Sequence, residues 1–226
     1  MTQKTDIIKT QIKAKPAEPI SDCKLCPRLA EFRLQNQLKF PDFFNAPVPA
    51  WGDENPKLII VGMAPGLKGA NRTGRPFTGD FAGDLLFQTL ERAGLSKGKY
   101  QSRSDDGLIL KGVMIVNAVR CVPPQNKPIG AEIKACRPFL LSTLAANPTA
   151  KTFLALGRVA HESFLTTIGK RRAAHKFAHG AKHQFDDGRV LFDSYHCSRY
   201  NTNTKLLSEE MFENVVFAAA KEALSF

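Results

Sequence analysis

The sequence predicts an α/β fold: a three-layer αβα sandwich around a central, mostly parallel, four-stranded sheet. Four short apolar runs, at residues 58–61, 113–119, 152–156 and 189–195, have the branched and aromatic composition of buried strands. Helical patterns lie between them, the alternation that builds a parallel sheet covered on both faces. No repeat and no break in composition divides the 226 residues, and 43% hydrophobic content is enough for one full core.

In chain order, residues 1–21 are polar, with Pro16 and Pro19, and predict a flexible tail; residues 22–226 predict a single domain. Residues 23–38 open as C-K-L-C-P-R-L, and Pro27 suits a first helical turn. Residues 41–56 predict loop, with Trp51 packing before the first strand. That strand ends at Gly62 and runs into a loop carrying Gly66, Gly69, Gly74 and Gly79, followed by a helix to Ala93. Residues 96–107 are polar and predict a surface insertion. The second strand ends near Asn117 and leads into R-C-V-P-P-Q-N-K-P, after which residues 131–144 predict a helix. The third strand stops at Gly157 before a helix over 158–168. The fourth delivers His196, Cys197, Ser198, Arg199, Tyr200 and Asn201, and residues 208–224 predict an outer helix.

The formal net charge of +11 favours an anionic partner, nucleic acid first. No run reaches the ~18 apolar residues of a membrane span, and M-T-Q-K-T-D is too polar for a secretory signal, so no membrane partner and a cytoplasmic location are expected. Five cysteines without a secretory signal argue against a disulfide framework. Cys23 and Cys26 form C-x-x-C, and Cys121 and Cys136 complete a possible four-cysteine site. Spacing alone does not choose between zinc and an iron–sulfur cluster. His175, His179 and His183 recur at four-residue spacing in the most basic segment, Lys170 to His183. With no nearby carboxylate or cysteine to complete a set, a phosphate-facing or solvated surface is the expectation there.

Each chemistry-bearing loop follows a strand, so in a parallel sheet all three should meet at one edge. They would bring together Phe77, Asp80, Asn117 and His196: a flat ring, a carboxylate, an amide and an imidazole. A ring stacked on a flat heterocycle, with an amide facing its edge, is how a flipped base is read.

These blocks resemble the uracil-DNA glycosylase superfamily. G-M-A-P-G at Gly62–Gly66 is similar to its first motif, and H-C-S-R-Y-N at His196–Asn201 to its last. Family 5, or type b, fits best: N-R-T-G-R-P-F-T-G-D at Asn71–Asp80, N-A-V-R-C-V-P-P-Q-N-K-P at Asn117–Pro128, and His196–Thr202 stand where that family has its own versions. The resemblance covers nearly everything from Cys23 onward. It implies a monofunctional glycosylase that releases uracil and other deaminated bases such as hypoxanthine from DNA, leaving an abasic site; a monomer is expected, since base excision needs no more. It also implies a [4Fe-4S] cluster, rather than zinc, on Cys23, Cys26, Cys121 and Cys136.

On that reading His196 and Asp80 are catalytic. His196 stabilises charge on the departing base; Asp80 handles water and the sugar cation. Related families carry a carboxylate or amide just after the first glycine, where this chain has Met63 and Ala64, so the task falls to Asp80, which also stands where a helix N-cap would. Gly62, Ala64, Phe77, Asn117 and Asn201 would contact the base. Arg72, Arg75, Ser198, Arg199 and Tyr200 would contact DNA, the last two entering the duplex as a wedge with Asn201. Cys197 resembles a variable position and is given no role.

Overall fold

The computed structural model describes residues 15–225. Helix α1 (Pro27–Lys39) starts at Pro27, with Cys26 as its extended N-cap. A short edge strand, β1 (Trp51–Gly52), precedes β2 (Leu58–Gly62), whose residues are all buried. Two helices follow, α2 (Ala70–Thr73) and α3 (Phe81–Arg92). Strands β3 (Ser96–Lys97) and β4 (Ile109–Leu110) pair as a separate ribbon. Next come β5 (Val113–Asn117), α4 (Gly130–Ala146), β6 (Thr152–Leu156) and α5 (Arg158–Thr167). The chain closes with β7 (Lys182–Gln184), β8 (Val190–Ser194), α6 (Arg199–Asn203) and α7 (Glu209–Leu224).

The sheet has six strands in the order β1-β5-β2-β6-β8-β7, two more than the sequence predicts. The four expected strands are the inner ones and run parallel; β1 and β7 are antiparallel additions at the edges. The inner four are buried on both faces, which is why they read as mainly apolar runs. On one face Leu58, Ile60, Ile115, Leu154 and Phe192 pack against α3 and α7. On the other, Ile59, Val61, Val116, Phe153 and Leu191 pack against Leu140 and Leu144 of α4 and Phe164 of α5. The three layers follow from this two-sided burial.

Three connecting segments take courses other than their letters suggest. Residues 1–14 lie outside the described residues, but 15–21 are tied down: the Ala17 amide donates to Ser142 Oγ at 2.7 Å, and Glu18 accepts from the Ala50 amide and Arg120 at 3.1 and 3.2 Å. The polar stretch 96–107 is no mere surface insertion, because it sends Tyr100 and Asp106 inward. The basic segment is not helical: it passes through a single 3₁₀ turn into β7, so His175, His179 and His183 do not share a helix face. Among the described residues no helix is long and apolar enough to cross a membrane.

Candidate active site

Gly62 and Asn117 are register partners at the ends of β2 and β5. A Cβ built on Gly62 would lie 2.3 Å from Asn117 Oδ1 and 2.7 Å from the Phe77 ring, so only glycine lets the amide and the ring come together. Phe77 has φ +53°, a conformation costly for a bulky residue. It is held there from outside: a Cβ on Gly83 would fall 1.8 Å from the Phe77 carbonyl oxygen, and Tyr100 donates to that oxygen at 3.4 Å. The Phe77 ring lies near-parallel to the His196 imidazole, 26° between planes and 5.8 Å between centroids.

Asp80 has two engagements. It caps α3, accepting from the Gly83 amide at 3.3 Å. Its other oxygen lies under the glycine loop, where a Cβ on Gly69 would approach to 2.1 Å. Burial raises its pKa, partly offset by the Gly83 and Ala82 amides. Burial alone lowers the His196 pKa to about 4, and its imidazole meets no hydrogen-bonding partner among the described residues. Asn117 is buried, and its Oδ1 has no partner either. Phe77, Asp80, Asn117 and His196, with Met63 and Ala64, line one cavity of about 590 Å³ at the carboxyl edge of the sheet. Asn117 and His196 thus both line a space large enough for a nucleobase.

Behind this cavity the four cysteines line one small pocket. Cys23 and Cys26 come from the entry to α1, Cys121 from the loop after β5, and Cys136 from within α4. Ala64 lines the cavity on one side and packs on the cysteine-bearing cluster on the other. Burial pushes the Cys26 thiol up to about 11 and Cys121 to about 12, and raises Cys136. Cations and amides stand ready for thiolates: Arg33 donates to Cys121 Sγ at 3.6 Å and the Arg120 amide to Cys136 Sγ at 3.3 Å.

Residues 49–220 match the model of the uracil DNA glycosylase superfamily. The chain belongs to this superfamily. It stands with the type-5 enzymes. It is 42% identical to the type-5 uracil-DNA glycosylase of Thermus thermophilus, over 91% of this chain and 96% of the relative. Identity is 38% to the type-5 enzyme of Pyrobaculum aerophilum, over 89% of each chain. It is also 38% to that of Mycobacterium leprae, over 90% of this chain and 93% of the relative. The enzyme class is that of a uracil-DNA glycosylase, an N-glycosyl hydrolase.

Not every expected contact residue of this glycosylase reaches the cavity. Arg75 is buried, not turned to phosphates: it pairs bidentately with Asp106, bonds Thr78 at 2.7 Å and stacks 4.7 Å over the Trp51 ring. Asn201 does not line the cavity; its Nδ2 donates to the His196 carbonyl at 2.8 Å and braces that loop. Ser198 caps α6 and, with Arg199, lines the cavity. Tyr200 is exposed, and Arg72 is exposed but held by the Lys68 and Gly79 carbonyls. Cys197 is fully buried and donates to the Ala82 carbonyl, and it does not line the cavity. Sequence reasoning missed Asn126, a cavity residue at φ +56°. The signal was there: Pro-Pro-Gln-Asn-Lys-Pro is turn chemistry that tolerates the left-handed region at asparagine.

Proposed function

We propose that this glycosylase extrudes uracil, and also hypoxanthine, from DNA into the 590 Å³ cavity and hydrolyses the glycosidic bond. The observation that carries the reading is the single cavity lined by Phe77, Asn117, His196 and Asp80. Phe77 stacks on the base, a contact contributing roughly 1–3 kcal/mol. Asn117 reads the base edge, its unpartnered Oδ1 accepting the ring N–H and its Nδ2 donating to the neighbouring carbonyl. Uracil and hypoxanthine both present an N–H beside a carbonyl on that edge, so one amide serves both.

As the bond breaks, negative charge grows on the base. His196, kept neutral by burial, donates a hydrogen bond to a base carbonyl where that charge collects. One aimed donor of this kind supplies roughly 3–4 kcal/mol. Asp80 orients water and balances the sugar cation; burial raises its basicity while the helix cap fixes its direction. Arg72, Arg199 and Tyr200, exposed near the cavity loops, supply contacts to the DNA backbone and to the gap left by the base.

The four cysteines hold a [4Fe-4S] cluster. Among the described residues no three of their sulfurs lie within 4.8 Å of one another. Four thiolates around one zinc would stand only about 3.8 Å apart. The wider spacing suits a cuboidal cluster with one iron per thiolate. When bound, the cluster staples α1, α4 and the loop after β5, and hydrolysis needs no electron from it.

A uracil-containing oligonucleotide incubated with the protein and then treated with alkali should be cut at the uracil, and a hypoxanthine-containing one at the hypoxanthine. An intact uracil strand would overturn the reading; an intact hypoxanthine strand would confine it to uracil.

A further inference from the structure

We propose that His161, His183 and Asp193 form a site for a divalent transition-metal ion of the zinc class, separate from the cysteines. Their donor atoms all lie within 4.8 Å of one another, and they are the only such group of three among the described residues. The three come from α5, β7 and β8. Asp193 is wholly buried and His161 nearly so, while the His183 side chain is 12% exposed. Two imidazole nitrogens and one carboxylate are the ligand types that zinc accepts.

The hydrogen-bond geometry favours a cation. Nε2 of His161 lies 2.9 Å from the His175 carbonyl oxygen, which can only accept, so Nε2 carries the hydrogen. In the neutral ring Nδ1 is then bare, and it faces Asp193 Oδ1 at 2.7 Å. Two acceptors would confront each other in a sealed space. Asp193 Oδ2 meets His183 Nε2 at 2.9 Å on its other side. A metal ion between Nδ1, Nε2 and the carboxylate removes the conflict. The alternative is a proton shared between His161 Nδ1 and the Asp193 carboxyl. A ring N–H bonded to a backbone carbonyl is also how metal-ligating histidines are usually oriented.

The local sequence pattern points to the wrong partners. His175, His179 and His183 look like a set by spacing, yet only His183 joins, and the missing carboxylate comes from β8. An ion there ties α5 and the edge strand β7 to β8, three residues before His196. It lies on the opposite side of the sheet centre from the cysteine pocket beside β5.

The test uses the iron-loaded protein, dialysed against a mild chelator and titrated with zinc chloride by calorimetry. The wild type should bind one equivalent, and His183→Gln should bind it at least ~100-fold more weakly. Iron content and visible absorption should be equal in the two. X-ray absorption at the zinc edge should show nitrogen and oxygen neighbours only. His183 sits on a short edge strand, so glutamine keeps the fold and a hydrogen bond to Asp193. No zinc uptake by the wild type would assign the cluster to a protonated His161–Asp193 pair and overturn the proposal. Equal uptake by His183→Gln, or sulfur around the zinc, would also overturn it.

Discussion

Arg75 and Asp106, 31 residues apart in sequence, meet through two hydrogen bonds of 2.7 and 2.8 Å with both side chains sealed from water. Burial on its own would raise the Asp106 pKa. Arg75, with the Gln101 and Leu108 amides, reverses this and holds it at about 2. The pair fastens the polar stretch 96–107 beneath the loop that carries Phe77. Asp106→Asn leaves a buried guanidinium without its counter-charge and should cost about 3–5 kcal/mol, read as a fall in the denaturant midpoint. Because the folded pKa is depressed, the stabilisation is complete above the usual carboxylate value and disappears as pH falls through about 2. In the wild type, denaturation curves between pH 4 and 2 should show a loss of stability that Asp106→Asn lacks.

Asp80 both caps α3 and faces the cavity, and two substitutions separate these jobs. Asparagine is as good an N-cap as aspartate, so Asp80→Asn should keep the melting temperature while single-turnover base release slows by at least tenfold. Asp80→Ala loses the cap too and should be about 1 kcal/mol less stable. Full-rate cleavage by Asp80→Asn would reduce the residue to a cap.

What the letters showed and hid follows from range. The inner strands are buried on both sides, and that burial prints a mainly apolar run into the sequence. Strands β1 and β7 have two and three residues, too few to print a period. The edge arrangement of Phe77, Asn117 and His196 was legible because parallel strands share an edge. The fate of Arg75 was not, since its carboxylate and its aromatic bed lie on other segments. Asn201 carries the right chemistry for a base, yet its Nδ2 is turned to the His196 carbonyl, a choice set by backbone path rather than residue type.

Gly62→Ala tests how closely the cavity is fitted. The new methyl group would press on Asn117 Oδ1 and on the Phe77 ring, driving both from their places in the cavity wall. Base release should fall by at least tenfold, with weaker binding of uracil-containing DNA. Gly130→Ala is the control: like Gly62 that glycine does not sit at positive φ, but its Cβ would touch nothing, so activity and stability should both survive.

Cys121→Ala removes one of four candidate cluster ligands. Iron content and visible absorption should both fall, and the melting temperature should drop because α1 and α4 lose their common anchor. Cys197→Ala is the matched control, since that thiol bonds only the Ala82 carbonyl and should leave iron and colour unchanged. Equal iron in Cys121→Ala and wild type would remove Cys121 from the ligand set.

His196 supplies the last prediction through its pH behaviour. Its pKa is lowered by burial to about 4, so the neutral ring persists well below the usual histidine range. Single-turnover uracil release should therefore show no histidine step between pH 8 and 5, and any step from this group should appear only near pH 4. An inflection near 6.5 that disappears in His196→Gln would mean the ring titrates in solvent and cannot be the buried donor. His196→Ala should slow release by about 10²–10³-fold at neutral pH, the loss expected for one well-aimed donor to a developing anion. The folded protein also resists protonating this ring, whereas the unfolded chain protonates it near the ordinary histidine value. The stability it contributes is complete above that value and is lost as pH falls through about 4. A denaturation series from pH 7 to 4 on wild type and His196→Gln should show that loss in the wild type alone.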